Sequence, residues 1–347
     1  MRHIRITLVG FGVVGQGFAE LLANKLEYLK QRYETRLTLV GVANARHGFI
    51  YRVDGLDVSM LLELARQGRP LTEHPDVRRW NIALDGLKAT VADVLVEASP
   101  TNLRDAEPAL SHIRIALTKG MHVVTANKGP GALAASELFA LAREHSVQLR
   151  MESSVMAGTP VISAIREGMA GASVTAIRGI LNGTSNYILS AMASGRDFDG
   201  ALADAQANGY AETDPTADVE GYDAVAKTLI LAALVFNHPL RLEQVERQGI
   251  TAITREQMQA ATEAGKRVKL IASLRLLSAH NGQADTLETS VKPIALPLTD
   301  PLARIDGAMN AISIQSDTLS EVTITGPGAG RVETAQGLLA DVLACIR

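Results

Sequence analysis

The sequence predicts an α/β protein with two domains: a doubly wound domain on a parallel sheet, and an α+β domain with a mixed or antiparallel sheet. Three observations predict this. Strand-like and helix-like runs alternate from residue 4 to residue 155, as in a parallel sheet covered by helices on both faces. A glycine-rich turn follows the first strand. After residue 266, strand-like runs follow one another without helices between them, which indicates strands that pair with their neighbours.

The first domain is predicted from a regular order of elements. Apolar and β-branched runs predict strands, and apolar spacing of helical period predicts the helices between them. The predicted strands cover residues 4–10, 37–44, 93–99, 122–128 and 147–155, with a helix after residue 10 and helices near 104–119 and 131–145. Residues 45–92 carry no clear pattern.

The second domain begins where this alternation stops. A helix near 159–169, a strand over 175–183 and further helices to residue 236 precede strands over 267–277, 286–296 and 311–315. The final stretch starts with a glycine turn and continues as an amphipathic helix, which we expect to pack back on the first domain. The predicted domains are therefore 1–150, completed by 326–347, and 151–325.

Composition excludes several classes of protein. The chain has 347 residues, 47% of them hydrophobic, and a formal net charge of −3, so it has no basic field for nucleic acid or an anionic membrane. No uncharged run approaches the ~20 residues of a membrane span. The only cysteine, Cys345, cannot form an internal disulfide, which favours a reducing, cytoplasmic location.

The glycine turn predicts dinucleotide binding. Gly10, Gly12 and Gly15 form G-x-G-x-x-G between a strand and a helix, the context that a Rossmann-like domain requires. We expect Gly10 to make the turn, Gly12 to let a pyrophosphate approach, and Gly15 to pack the helix on the strand. Val13 and Val14 open the helix, whose free N–H groups suit phosphates. The alternative is a tight turn without a ligand.

Residues after other strands bear on the choice of cofactor. An acid at the end of the second strand would bind the ribose hydroxyls of NAD, but Asn44 stands there, followed by Arg46. Arg46 would suit the 2′-phosphate of NADP, or it is an ordinary loop charge. NAD and NADP both stay open, with a slight preference for NADP. Ser99 and Thr101 end a strand at the same edge and are candidates to contact the cofactor.

An acidic stretch precedes an apolar helix. Residues 209–227 hold five carboxylates and one lysine. Asp223 and Lys227 are four residues apart and share a helical face, and Asp218 is a plausible N-cap. The simplest interpretation is a capped helix with a surface ion pair. Against it, Lys227 adjoins the apolar run 228–236, and a second lysine, Lys128, ends a strand at the cofactor-facing edge.

These motifs together resemble the homoserine dehydrogenases. The pattern A-x-x-x-G-Y-A-x-x-D-P-x-x-D-V-x-G-x-D-x-x-x-K runs from residue 205 to residue 227, and "GILNGTSNYIL" (179–189), "TANKGP" (125–130) and "GPGAG" (326–330) accompany it. The resemblance covers essentially the whole chain. No kinase or regulatory domain, which some members carry, is recognisable.

The resemblance implies an NAD(P)-dependent, reversible reduction of aspartate 4-semialdehyde to homoserine, on the route to threonine and methionine. It implies that Lys227 is the acid–base residue, supported by Asp223, and that Lys128 lies near the reacting carbonyl. The implied substrate contacts are Glu212, Asp218, Gly183 and Thr184. Gly330 would lie near the nicotinamide, and a sodium or potassium ion would be held by Glu152, Val155, Ala157 and Thr159. The family also implies a homodimer or higher homo-oligomer.

Two other functions would make different demands on the sequence. A phosphorylating semialdehyde dehydrogenase needs an active-site thiol, and Cys345 lies in the terminal helix, so this reading fails. A non-catalytic dinucleotide sensor would not need Lys128 and Lys227 together with the acidic stretch. The histidines show no metal-ligand spacing, which argues against a transition-metal site.

Overall fold

A computed structural model describes residues 1–277 and 285–347. The strands are, in chain order, β1 Arg2–Val9, β2 Thr35–Asn44, β3 Gly48–Tyr51, β4 Arg78–Trp80, β5 Val94–Glu97, β6 His122–Thr125, β7 Leu149–Arg150, β8 Val174–Ile180, β9 Glu246–Arg247, β10 Lys266–Leu277, β11 Thr286–Pro297, β12 Met309–Ser316 and β13 Val322–Pro327.

The α-helices are α1 Val13–Asn24, α2 Leu26–Tyr33, α3 Val58–Arg66, α4 Ala83–Ala89, α5 Ala109–Thr118, α6 Lys128–Glu144, α7 Ser153–Met156, α8 Gly183–Ala193, α9 Phe198–Ala207, α10 Thr216–Val219, α11 Tyr222–Val235, α12 Arg255–Glu263 and α13 Arg331–Cys345. None of the helices in the described residues is both long and apolar enough to cross a lipid bilayer.

The chain divides into two units, Met1–Gly158 with Gly330–Arg347, and Thr159–Ala329. The sequence placed these divisions at 150 and 325. The first division falls later because α7 follows β7 closely and packs on α13. The second division falls after the glycine turn, so that Gly330 opens α13 in the first unit.

The first unit is built on a seven-stranded sheet of order β4-β3-β2-β1-β5-β6-β7. Strands β2, β1, β5, β6 and β7 run parallel, and β3 and β4 add an antiparallel edge. The order reverses between β1 and β5, the switch point outside which such sheets bind ligands. Its core is apolar and includes residues from β1, α1 and α13, so α13 belongs to the first unit.

The second unit holds a six-stranded sheet of order β13-β12-β8-β10-β11-β9. Its pairs are antiparallel except the short β11–β9 pair, which is parallel. The mixed sheet and the Rossmann-like unit confirm the predicted fold class. Helix α11 is buried along most of its length because its sequence is apolar on every side, and it packs on β10 and β11.

Three local predictions were wrong. The strand predicted to reach residue 155 ends at Arg150, and Ser153 begins a short helix. The helix predicted near 159–169 is reduced to a short helical segment, whose residues 164–168 have π-type geometry. Asp218 is not an N-cap, because it lies within α10, and α11 begins after Gly221, a glycine with φ of +81°. A positive φ suits glycine, which has no Cβ to clash.

Candidate active site

The glycine turn after β1 lies against the end of β5. Gly10 has φ of +100°, and a Cβ added there would lie 2.3 Å from the backbone carbon of Ala98. A Cβ at Gly15 would lie 2.0 Å from the carbonyl oxygen of Gly10. Both positions therefore require glycine on steric grounds. The turn lies at the carboxyl ends of β1 and β5, which is the switch point of the sheet.

The N-terminus of α1 is open. Gly12 is its N-cap and no side chain caps the helix. Among the residues that the structure describes, a Cβ added at Gly12 would meet no atom within 4 Å, so packing against them does not require glycine there. Val13 is 68% exposed, and Val14 is half-buried. The first backbone N–H groups of a helix lack intrahelical partners, so this end can receive an anion such as a pyrophosphate.

The loop after β2 presents a basic side chain. The Asn44 Oδ1 atom accepts a hydrogen bond of 2.8 Å from the backbone N–H of Arg46. This bond closes an Asx-type turn and leaves Arg46 exposed. No hydrogen bond or ion pair is formed by the Arg46 guanidinium within residues 1–277 and 285–347. The loop therefore carries a positively charged side chain near the position at which NAD-binding domains of this type have an acidic residue.

The loops after β5 and β6 are joined by hydrogen bonds. Asn127 caps α6 through Gly129 N–H and donates from Nδ2 to the carbonyls of Ser99, at 3.0 Å, and Pro100, at 3.1 Å. The backbone N–H of Lys128 donates to the Thr101 Oγ1 atom at 3.3 Å. Ser99, Thr101 and Lys128 are thus brought together at the carboxyl edge of the sheet. Sequence reasoning missed Asn127, although an asparagine before a helix is a typical N-cap.

The acidic stretch of the second unit surrounds Lys227. Its Nζ atom lies 2.8 Å from the Asp223 Oδ2 atom and donates to the Leu181 carbonyl oxygen at 2.6 Å. The side chains of Lys227 and Asp223 are only 8% and 17% exposed. The pair is therefore not an ordinary surface ion pair, and removal of either partner would leave a poorly solvated charge.

Asn182 connects the two carboxylates, and sequence reasoning missed it. Its Nδ2 atom donates to Asp218 Oδ1 at 2.7 Å and to Asp223 Oδ2 at 3.0 Å. Its Oδ1 atom accepts from the backbone N–H of Ser185 at 2.8 Å and so caps α8. The signal was present, since an asparagine between a strand and a helix is a preferred N-cap. Lys227, Asp223, Asn182 and Asp218 form one network.

One carboxylate of the network, that of Asp218, has a raised pKa. Burial raises the pKa of Asp218 above its ordinary value, and the nearby Asp223 carboxylate raises it further, while the hydrogen bond from Asn182 acts in the opposite direction. Two carboxylates close together disfavour joint ionisation. This part of the site is therefore suited to a cationic ligand, which would favour the ionised form of Asp218.

The other predicted substrate contacts lie around this network in different ways. Gly183 and Thr184 open α8, and the Thr184 hydroxyl donates to the Tyr210 carbonyl oxygen at 2.6 Å. Glu212 is exposed in the loop before α10. Within residues 1–277 and 285–347 its carboxylate makes no hydrogen bond or ion pair, so the structure does not join it to the network.

Three of the four predicted cation ligands, Glu152, Val155 and Ala157, lie on the segment that precedes the end of this part of the first unit at Gly158. Glu152 is buried, and its backbone N–H donates to Asp341 Oδ2 at 2.8 Å. Val155 lies in α7, and Ala157 follows with φ of +50°, a conformation that is uncommon for a residue with a Cβ. Thr159 begins the second unit and donates to the Pro327 carbonyl oxygen at 3.0 Å. Gly330, with φ of +139°, precedes α13 in the first unit.

Family models match both units. The homoserine dehydrogenase model matches residues 160–343, and the model of the homoserine dehydrogenase NAD-binding domain matches residues 10–152. The two matches together span nearly the entire chain.

Relatives of similar length support the same assignment. The chain is 42% identical to an NAD(+)-dependent homoserine dehydrogenase of Pseudomonas canavaninivorans, over 99% of this chain and 96% of the relative. It is 38% identical to a homoserine dehydrogenase of Methanocaldococcus jannaschii, over 97% of each chain.

Solved structures show the same fold. A homoserine dehydrogenase from Thiobacillus denitrificans superimposes with a TM-score of 0.83 at 36% identity, over 100% of this chain and 74% of that one. A hyperthermophilic archaeal homoserine dehydrogenase in complex with NADPH superimposes with a TM-score of 0.81 at 30% identity, over 99% and 98%. On the two family models, these identities and the shared fold, the chain belongs to the homoserine dehydrogenase family.

Proposed function

We propose that the chain catalyses the reversible reduction of L-aspartate 4-semialdehyde to L-homoserine with Lys227 as the acid–base residue. The observation that carries this proposal is the buried ammonium of Lys227, placed between the Asp223 carboxylate and the Leu181 carbonyl oxygen. Hydride transfer to an aldehyde leaves negative charge on oxygen. An ammonium beside that oxygen stabilises the charge and delivers a proton.

The contacts of Lys227 with Asp223 and with the Leu181 carbonyl oxygen hold its ammonium in place. Asp223, one helical turn earlier on the same face of α11, holds the Lys227 side chain through an ion pair of 2.8 Å. In homoserine oxidation the same lysine, once neutral, accepts the hydroxyl proton. Lysine suits this exchange because its pKa responds strongly to its surroundings. Lys128 is proposed as a second lysine near the carbonyl.

The ends of the substrate have matching partners. Its α-ammonium group suits the acids, and we assign it to Asp218 and Glu212. Its carboxylate suits the N-terminus of α8, where the backbone N–H groups of Gly183 and Thr184 lie at the positive end of the helix dipole. The acids and the N-terminus of α8 adjoin, because Asn182 caps α8 and also donates to Asp218.

The cofactor is assigned to the first unit. The bound dinucleotide, NAD or NADP, supplies or accepts the hydride. We assign its pyrophosphate to the turn Gly10–Gly15 and the open end of α1, with Ser99, Thr101, Lys128 and Gly330 as further contacts. One relative is named NAD(+)-dependent and one solved relative holds NADPH. The free guanidinium of Arg46 beside Asn44 favours acceptance of NADP here.

A monovalent cation, sodium or potassium, is proposed at the carbonyl oxygens of Glu152, Val155 and Ala157, with Thr159 next to them in sequence. The supporting observation is the positive φ of Ala157. A strained backbone costs about 1–3 kcal/mol, and carbonyl oxygens that converge on a hard cation would offset it. Further proposals, which rest on the family and on the lone Cys345, are a homodimer or larger homo-oligomer and a cytoplasmic location.

The proposal is tested by oxidation of homoserine, followed at the nicotinamide absorbance. We expect the wild-type chain to turn over, and Lys227→Ala to lower kcat by about 10²–10⁴. Lys227→Arg should rescue little, because guanidinium rarely releases its proton. A dinucleotide sensor would show no turnover in any variant.

A matched control separates catalysis from loss of an ion pair. Lys292 pairs with Glu246 at 2.8 Å in the same unit, and both side chains are more exposed, at 37% and 67%. Lys292→Ala should leave kcat unchanged and cost at most about 1 kcal/mol of stability. Equal turnover in Lys227→Ala and Lys292→Ala would end the assignment of Lys227.

A further inference from the structure

Asn310 has a buried side-chain amide without a partner. Its exposure is 0%, and neither Oδ1 nor Nδ2 has a hydrogen-bond partner in the described residues. Buried polar groups in folded proteins are nearly always hydrogen-bonded. An unpaired donor and acceptor on one side chain therefore need an explanation. By contrast Asn186, also buried in this unit, donates to the carbonyls of Ile305 and Met309.

The amide of Asn310 lies between two glycine motifs. Asn310 pairs with Gly326 across β12 and β13, while its neighbour Ala311 pairs with Ile180 at the end of β8. A Cβ added at Gly328 would lie 2.2 Å from the amide nitrogen, and one at Gly183 would lie 3.4 Å from Oδ1. The amide thus lies beside the first residue of α8, and the backbone of Gly328 covers it.

The position of the amide assigns it to one end of the substrate. Gly183 begins α8, and the positive end of that eleven-residue helix favours an anion. The acids Asp218 and Asp223 are held by the side chain of the cap residue Asn182. The atom on the Gly183 side is the acceptor Oδ1, and the donor Nδ2 lies at Gly328. Because neither end is hydrogen-bonded within the described residues, the amide can turn over without losing a bond and donate from Nδ2 to a carboxylate oxygen. The glycine that covers it can change its torsions at little steric cost.

We propose that Asn310 is a substrate-binding residue whose amide donates a hydrogen bond to the carboxylate of the amino-acid substrate at the N-terminus of α8. This inference rests on the proposed function. It explains why the amide is left unpaired by the protein: its partner arrives with the substrate. It also gives Gly328 a role, since a side chain there would overlap the amide.

The test uses Asn310→Leu, which keeps the approximate shape and removes both polar ends. Loss of an unpaired amide should leave the thermal midpoint unchanged or raise it. Loss of a hydrogen bond to a charged group should raise the KM for homoserine by about tenfold or more. The KM for the dinucleotide should not change. The matched control, Asn186→Leu, removes a fully bonded amide and should lower the thermal midpoint.

Asn310→Asp is the second variant, because it keeps the shape and places a carboxylate beside that of the substrate. It should also raise the KM for homoserine. A fall in the thermal midpoint of Asn310→Leu that equals that of Asn186→Leu, or a homoserine KM within about twofold of wild type in both variants, would overturn the inference. Absence of homoserine oxidation by the wild-type chain would instead overturn the proposed function.

Discussion

Two consecutive residues at the junction of β8 and α8 arrange the proposed catalytic lysine and its acids. The Leu181 carbonyl oxygen accepts from Lys227, and the next residue, Asn182, donates to both Asp218 and Asp223. Asn182 simultaneously caps α8. The separation of the two carboxylates is therefore set by the geometry of a helix cap, which is more rigid than a pair of long side chains in a loop.

Asp218 gives a pH-dependent prediction. Burial raises its pKa in the folded state, so its contribution to stability is full below the ordinary pKa of aspartate and is lost as pH rises through the raised value. Asp218→Asn keeps an acceptor for Asn182 but cannot titrate. We expect its unfolding free energy, relative to wild type, to increase as pH rises above about 4. Chemical denaturation over a pH series checks this, and a difference independent of pH would contradict it.

Arg46 gives a prediction about cofactor choice. If its exposed guanidinium contacts the 2′-phosphate, Arg46→Ala should raise the KM for NADPH far more than the KM for NADH. A guanidinium–phosphate pair is worth about 1.5–3 kcal/mol, or roughly a tenfold to hundredfold change. Steady-state rates with both cofactors provide the measurement. Equal changes for the two would show that Arg46 is an ordinary loop charge.

The contacts of single residues were only partly predictable. The approach of Asp223 to Lys227 follows from their spacing on a helix, and the structure has it at 2.8 Å. The contacts of Asn182 with residues 36 and 41 positions away follow from no local pattern. The N-cap predicted at Asp218 was wrong because Gly221, with its positive φ, starts α11 instead.

At the scale of elements, two glycines of the β1–α1 turn are expected to serve different purposes, Gly15 for packing and Gly12 for the approach of a ligand. Gly15→Ala would place a Cβ 2.0 Å from the Gly10 carbonyl oxygen, so we expect it to lower the unfolding free energy by about 1–3 kcal/mol. In Gly12→Ala the new Cβ meets no atom of the described part of the chain within 4 Å, and the substitution should leave stability nearly unchanged.

The new methyl group at position 12 should therefore affect the binding of a ligand and not the stability of the fold. We expect Gly12→Ala to raise the Kd for the dinucleotide by at least about tenfold, because the pyrophosphate could no longer approach the backbone. Fluorescence titration and thermal denaturation on both variants are the measurements. A wild-type Kd in Gly12→Ala would remove the pyrophosphate from this helix end.

The segment 147–155, which follows α6, shows why the sequence mispredicts some elements. Residues 147–155 read as a strand, yet β7 ends at Arg150. The chain turns away because Glu152 N–H donates to Asp341 and the Ser153 hydroxyl to the Thr334 carbonyl oxygen, both on α13. Partners more than 180 residues away override the local preference for a strand. The main strands of the sheet, whose hydrophobic runs are continuous, were predicted correctly.

The same segment carries the prediction about the cation. If the carbonyl oxygens near Ala157 hold a monovalent ion, replacement of sodium and potassium by tetramethylammonium at constant ionic strength should lower the thermal midpoint or the turnover. The large organic ion, whose charge is enclosed by methyl groups, cannot be coordinated by carbonyl oxygens as a hard metal cation is. Restoration by sodium or potassium completes the measurement, and indifference to the exchange would exclude the site.

At the scale of the whole molecule, the proposed roles divide between the two units. The dinucleotide contacts from Gly10 to Lys128 belong to the first, and Lys227 with its acids belongs to the second. A ligand that binds only the folded state raises stability by about 2.7 kcal/mol at a hundredfold excess over its Kd. We expect NADPH to raise the thermal midpoint of Lys227→Ala as much as that of wild type. Loss of this shift in Lys227→Ala would mean that the lysine contributes to cofactor binding.

The discontinuity of the first unit has a consequence for biosynthesis. Its apolar core includes Ala335, Leu338, Leu339, Val342 and Leu343 of α13, which leave the ribosome after residues 159–329 have been made. The intervening segment, 159–329, is continuous, so it can fold while the earlier residues still await their last helix. Chains usually fold N-terminal domain first, and here the order is reversed. Truncation of the final helix would therefore damage the unit that was synthesised first, and leave the later one able to fold.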